Sequence, residues 1–125
     1  MTIEQRVHDL VENIKAGNIL DDFEKHYAPD CVMQENGNPP FVGKEFNRDR
    51  EKQFLASVKE WKSTNVSAVA VDAAGRSGDS GTSMIEIDFE FINTDGQPVR
   101  YEQVARQKWK DGQIVHERFY YDTGA

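Results

Sequence analysis

Apolar residues recur at helical spacing in the first half of the chain and alternate with polar ones in the second. Ile3, Val7, Leu10, Val11 and Ile14 form one helical stripe. Thr2 followed by Gln5 is a capping-box pattern for its start. Gly17 supplies its stop, because glycine enters the left-handed conformation without strain. A second, shorter helix is expected after the cap residue Asn18, with Asp21 and Asp22 near its positive end. Its inner face is Leu20, Phe23 and Tyr27, and Pro29 closes it. Residues 31–35 alternate like a short strand, with Cys31, Met33 and Glu35 on one face, and Asn36-Gly37-Asn38-Pro39-Pro40 reads as a loop. A third helix is predicted over roughly 44–60, with Phe46, Phe54, Leu55 and Val58 inward and Asn47, Arg48, Asp49, Glu51 and Lys52 on a solvated face.

Four strands follow, at about 63–73, 82–93, 98–109 and 113–121. Their connections are Gly75 to Gly81, Asp95-Gly96 and Asp111-Gly112. Helices first and a meander afterwards predict an α+β fold, a single domain over residues 1–125 with no repeat or linker.

Each Asp-Gly turn can be a two-residue hairpin, or a three-residue one with glycine in a left-handed bulge. The choice moves the register by one residue and flips a pairing face. The three-residue form in both hairpins sets Phe89 against Tyr101, Ile87 against Gln103, Ala105 against Glu117 and Gln103 against Phe119. One face then collects Ile85, Ile87, Phe89, Phe91, Tyr101, Trp109, Val115, Phe119 and Tyr121. The other carries Glu86, Asp88, Glu90, Arg100, Glu102, Arg106, Lys108, His116 and Arg118. The two-residue form would set Phe89 and Phe91 beside Glu102 and Arg100, a poor core, so the three-residue form is preferred. Gln103, Gln107 and Glu117 share the apolar face. Burying a polar group without a partner costs about 1–3 kcal/mol. Either an internal hydrogen-bond network satisfies these groups or a cavity holds water or a ligand against them.

Composition narrows the partners. The chain has 15 Lys and Arg against 22 Asp and Glu, a net charge of −7. Such a surface repels phosphates and anionic headgroups, so neither nucleic acid nor a membrane is expected as a partner. No apolar stretch approaches a membrane span, and Met1-Thr2-Ile3-Glu4 does not begin a signal peptide. Cys31 is the single cysteine, with no partner for a disulfide or a CxxC zinc site. A reducing cytoplasm is the expected location.

The order of elements, together with Phe23-Glu24-Lys25-His26-Tyr27-Ala28-Pro29-Asp30-Cys31-Val32, Pro39-Pro40-Phe41-Val42-Gly43-Lys44 and residues 111–122, resembles the nuclear transport factor 2-like superfamily, in particular its SnoaL-like and ketosteroid-isomerase-like members. The resemblance implies a cone: three N-terminal helices packed on a strongly curved, mainly antiparallel sheet that encloses a pocket. It also implies a homodimer through the outer sheet face, where Val104, Ile114 and Tyr120 lie among charges. Glu35 falls where ketosteroid isomerases keep their proton-shuttling aspartate. The positions of their oxyanion-stabilising pair map near Leu10 or Val11 and near Gln103 or Ala105, so steroid isomerase activity is not expected.

Glu35 and Glu117 are the acid–base candidates, because a carboxylate in a semi-apolar cavity titrates closer to neutrality. Each has a plainer alternative: Glu35 as a solvated loop-edge carboxylate, Glu117 as a partner for Gln103, Gln107 or Tyr121. Tyr121 or Tyr101 can donate to an oxyanion. The expected ligand wall is Tyr27, Met33, Phe89, Tyr101, Gln103, Gln107, Trp109, Phe119 and Tyr121. His8 and His116 are expected on the surface, His26 at a boundary, and Cys31 as a buried small hydrophobe. No metal site is expected among these histidines, and no cofactor, since neither a phosphate cradle nor a dinucleotide fingerprint occurs. The function expected is binding of a small, largely apolar metabolite with acid–base chemistry of isomerase, cyclase or dehydratase type. The rival is a non-enzymatic ligand-binding or dimeric interaction module.

Overall fold

A computed structural model of the protein describes residues 1–74 and 78–123. The chain runs α1 (Ile3–Lys15), α2 (Ile19–His26), β1 (Tyr27–Glu35), β2 (Phe41–Val42), α3 (Lys44–Ala56), β3 (Val58–Ala74), β4 (Ser80–Asn93), β5 (Pro98–Lys110) and β6 (Gln113–Tyr121). The expected connection from Gly75 to Gly81 lies partly outside the described residues.

In α1 the capping box is complete: the Gln5 amide N–H donates to Thr2 Oγ1 at 3.2 Å, and the Thr2 N–H to Gln5 Oε1 at 2.8 Å. Gly17, at φ +81°, lets its own N–H reach Ile14 O and the Asn18 N–H reach Asn13 O. That pair of bonds is a Schellman stop. Asn18 holds the cap position of α2 without a side-chain cap bond; only its carbonyl accepts, from the Asp22 N–H.

The helix ends at His26 and not at Pro29, which lies inside β1. β1 pairs parallel with β6, and the register slips between Tyr27↔Ile114 and Val32↔His116. Pro29 has no N–H to give a ladder, so it sits, exposed beside Asp30, where pairing is interrupted.

The third helix is shorter than expected, since the chain turns into β3 at Val58. Its faces are also rearranged. Asn47 is fully buried, donating to the carbonyls of Phe41 and Gly43 at 3.0 and 2.9 Å, and so satisfies the tight entry into the helix. Glu51, one turn on, also points inward. Phe46 is left exposed, stacked on Phe41.

The six strands form one curved, open sheet in the order β2-β1-β6-β5-β4-β3, antiparallel except at β1–β6. The hairpin between β4 and β5 is the three-residue form, with Gly96 at φ +79° and the pairs Phe89↔Tyr101 and Ile87↔Gln103 as predicted. The hairpin between β5 and β6 is not. Lys110 pairs with Gln113 around a two-residue turn, Asp111 and Gly112 both at positive φ, as a type I′ turn requires. The register then shifts from Trp109↔Ile114 to Lys108↔His116, leaving Val115 as an extra, bulged residue. The shorter turn and the bulge offset each other in facing. Glu117 still points inward, but opposite Gln107 and not Ala105. Ile114 is therefore fully buried and absent from the outer face, while Val115 is only half-buried.

Ile3, Val7, Leu10, Phe23, Met33, Ile85 and Ile114 form the centre of the core between α1, α2 and the concave sheet face. Among the described residues no helix is long and apolar enough to cross a membrane.

Candidate active site

The concave face and the helices surround a cavity of about 230 Å³. Glu35, Glu117, Tyr27, Met33, Phe89, Tyr101, Gln103, Gln107, Phe119 and Tyr121 all line it. Trp109 does not, contrary to expectation. It lies nearer the β5–β6 turn, where the bulged register sets it opposite Ile114 in the core, and its ring meets His26 edge-on.

Glu117 is buried, and both of its carboxyl oxygens accept hydrogen bonds: Oε1 from the Tyr27 hydroxyl and Oε2 from Gln107 Nε2, the latter at 2.7 Å. One donor fixes the direction of this chain. An indole N–H can only donate, and Trp109 gives its own to Ser83 Oγ at 2.9 Å. The Ser83 hydroxyl passes its proton side to Gln107 Oε1 at 2.7 Å, which leaves the amide nitrogen facing Glu117. Trp109 thus positions Glu117 from outside the cavity. Burial pushes the Glu117 carboxyl up to about 7; the bonds from Gln107 and Tyr27 pull the other way, and the charge of Glu51 adds to the rise. Burial, then the adjacent Glu117, holds the Tyr27 phenol well above its usual range.

A second carboxyl, Asp22, lines the same cavity and is 2% exposed. Burial pushes it up to about 8, against the pull of Asn13, whose Nδ2 lies 3.2 Å from Oδ1. Its sequence position in the first turn of α2 suggested only a dipole-favoured acid. The better signal was its spacing of four residues from His26, which puts both on the buried helix face.

His26 is wholly buried and not at a boundary. Its Nε2 lies 2.8 Å from Asp9 Oδ2 and 3.5 Å from Asp22 Oδ1. Burial lowers its pKa, opposed by Asp9. Asp9, Asp22 and His26 have the donor types of a metal site, with ligating atoms within 4.8 Å of one another. Asp9 Oδ2, however, already takes the Lys25 ammonium at 2.8 Å as well as the imidazole. Lys25 thus already supplies a cation to Asp9.

The mouth is built differently. Glu35 is half-exposed, with Arg50 Nη2 at 3.8 Å. Arg50 is itself fixed, its guanidinium 3.5 Å from the Phe41 ring centre and its Nη1 donating to Asn47 Oδ1 at 3.1 Å. Glu51 is raised by burial, and so is Tyr121, with Glu35 adding to the latter. An aromatic wall joins mouth to interior: Trp61 stacks on Phe89, Phe89 on Tyr101, and Tyr101 meets Tyr121 edge-on. Glu51 was missed because a solvated helix face was expected there, Arg50 because it was assigned to neither face, and Trp61 because it falls between the expected helix and the expected strand. Cys31 is buried and its thiol is pushed up to about 11 by burial, which suits an inert core residue.

An open curved sheet closed by three helices is the cone of the nuclear transport factor 2-like class. Within it the chain belongs to the SnoaL-like domain family, whose pattern matches residues 7–117. A protein from Mesorhizobium loti described as a candidate SnoaL-like polyketide cyclase is 26% identical over 97% of this chain and 100% of its own, with a TM-score of 0.72. An LEH-like epoxide hydrolase of M. tuberculosis shares the fold at 16% identity and TM-score 0.72, covering 98% of this chain and 81% of its own. So does a de novo designed protein with a curved sheet, at 21% identity and TM-score 0.67, covering 98% and 86%. No curated protein matches the sequence.

Proposed function

We propose that the cavity binds a small, largely apolar molecule and that Glu117 moves a proton on it, in chemistry of isomerase, cyclase or dehydratase type. The observation that carries this reading is the setting of Glu117. It is a buried carboxyl held by two neutral donors, beside an apolar cavity, with a pKa near 7. A group poised there exchanges its proton at neutral pH in either direction. Glu35, placed by resemblance at a base position, is better suited to the entrance, since it is half-exposed and faces Arg50. Asp22 is the second carboxyl and favours its protonated form, so it can donate where Glu117 accepts. The same fold occurs in a designed protein, so a function here belongs to these side chains and not to the fold.

The test is solvent-deuterium uptake at the carbon beside the carbonyl in a panel of small cyclic ketones, followed by mass spectrometry. Uptake should be lost by a factor of roughly 100 or more in Glu117→Gln, with ligand affinity retained, and should change little in Glu35→Gln. Binding without any Glu117-dependent uptake would favour the non-enzymatic ligand-binding reading.

A further inference from the structure

The charges around the cavity constrain the ligand itself. Asp22, Glu35, Glu51 and Glu117 all border the space, against Arg50 as the one cation on the described lining. Arg50 is held by the Phe41 ring and Asn47 and pairs with one of these acids, Glu35, which leaves Asp22, Glu51 and Glu117 without a cation bonded to them among the described residues. Neighbouring lysines are committed too: Lys25 Nζ is held by Asp9, and Lys44 Nζ by the carbonyls of Tyr27 and Glu24. The acids therefore act on one another. Burial raises each of the three inner acids, and neighbouring acids add to it: Glu35 to Glu51 against the larger pull of Arg50, Glu51 to Glu117, and Asp9 then Glu117 to Asp22. Carboxyls crowded in an apolar space are stabilised by a bound proton or by a cation. The aromatic wall of Trp61, Phe89, Tyr101 and Tyr121 adds a second feature that favours cations, through their attraction to ring faces.

Resting on the reading that this cavity binds a small molecule, we propose that its ligand is an organic cation, a compact and mostly apolar body bearing one ammonium group. Entry of the ammonium releases a proton from the cavity acids to solvent, and no covalent bond changes. Glu117 is the first to respond. It faces Tyr27 from β1, Gln107 from β5, Asp22 from α2 and Glu51 from α3, with Glu35, Arg50 and the phenols of Tyr101 and Tyr121 toward the mouth. Asp22 is backed in turn by Asp9, His26 and Lys25.

The experiment compares three probes of one shape, benzylammonium, benzyl alcohol and benzoate, titrated into the labelled protein. The two tryptophans supply a reporter and a control. The Trp61 indole N–H, bonded to Thr64 on the lining, should shift with binding, and the Trp109 indole, outside the cavity, should shift less. Benzylammonium should bind roughly tenfold tighter than benzyl alcohol, and benzoate weakest. Its affinity should rise severalfold from about pH 6 to about pH 8, by up to tenfold per unit for each proton released. Glu117→Gln should flatten that rise. Glu51→Gln, which leaves the buried hydrogen-bond chain intact, should weaken benzylammonium severalfold more than it weakens benzyl alcohol. Benzyl alcohol binding as tightly as benzylammonium, or benzoate more tightly, would overturn the cationic ligand while leaving the cavity as a binding site. If no probe moves the Trp61 indole, the binding reading fails as well.

Discussion

Glu117 and Asp22 carry the same chemical group, and only one of them could be read from the sequence. Glu117 was legible because strand alternation places every second residue on one face, and a charged residue among Val115, Phe119 and Tyr121 stands out. Asp22 was not, because acids near a helix start are so often solvated that the pattern carries little information. Burial decides its chemistry, and burial of a helix face depends on what packs there. The two carboxyls make a prediction about stability. Both have folded pKa values raised above those of the unfolded chain, to about 8 for Asp22 and about 7 for Glu117. The folded state therefore binds more protons across the interval from the ordinary carboxylate range up to those values. Stability should be fullest below that interval and decline as pH rises through it, by at most about 1.4 kcal/mol per pH unit per group. His26 is shifted downward, so its own titration lies below its ordinary value and leaves the range above neutrality to the acids. Denaturant midpoints measured between about pH 7 and about pH 8.5 should fall, and in Asp22→Asn they should fall less. Parallel curves for the two proteins would contradict a protonated Asp22.

At the scale of elements, the strands were legible and the two hairpins were half so. The pattern of apolar and polar residues identifies which face of β4, β5 and β6 turns inward, because a wrong face would bury Glu102 and Arg100. It does not register a turn and a bulge that offset each other. The Asp111-Gly112 turn is one residue shorter than expected, and Val115 supplies the missing residue, so the facing of Glu117 came out right by a different path. The consequence is chemical, because the true register sets Glu117 beside Gln107 and gives it the amide donor. The same cancellation exchanges two neighbours, Ile114 entering the core and Val115 leaving it. Their alanine variants separate the registers. Ile114→Ala should cost about 2–5 kcal/mol in unfolding free energy, the range for a large buried aliphatic. Val115→Ala should cost under about 1.5 kcal/mol, since that smaller side chain is only half-buried. Equal costs, or the reverse order, would restore the unbulged hairpin. Helix α3 shows the opposite limit of sequence reading. Asn47 looks like a surface residue by type, and its inward place follows only from two carbonyls at the helix entry that need a donor.

Across the whole molecule the convex face of the sheet is ordered by charge. Along β5, Lys108 and Arg106 lie beside His116 and Arg118 of β6, so one end of the face is basic. In the middle, Val104 pairs with Tyr120 on one side and Glu86 on the other, near the exposed Met84. At the far end Glu102 pairs with Asp88, and Arg100 with Glu90. A two-fold axis through the Val104–Tyr120 row would lay the basic end of one copy on the acidic end of the other, with the apolar middle buried at the centre. Such a self-complementary patch is what an isologous interface needs. We therefore expect a homodimer, with a light-scattering mass twice the 14.3 kDa of one chain. Arg106 and Glu102 stand equally far from Val104 on β5, which allows a specific check. Arg106→Glu alone would set acid against acid, and Glu102→Arg alone would set base against base, so each should lower the dimer fraction. Mixing the two variants restores opposite charges at both ends of the interface and should recover dimers formed of one chain of each kind. A monomer mass for the unaltered protein at micromolar concentration would refute the dimer. Recovery absent from the mixture would refute this face as its interface.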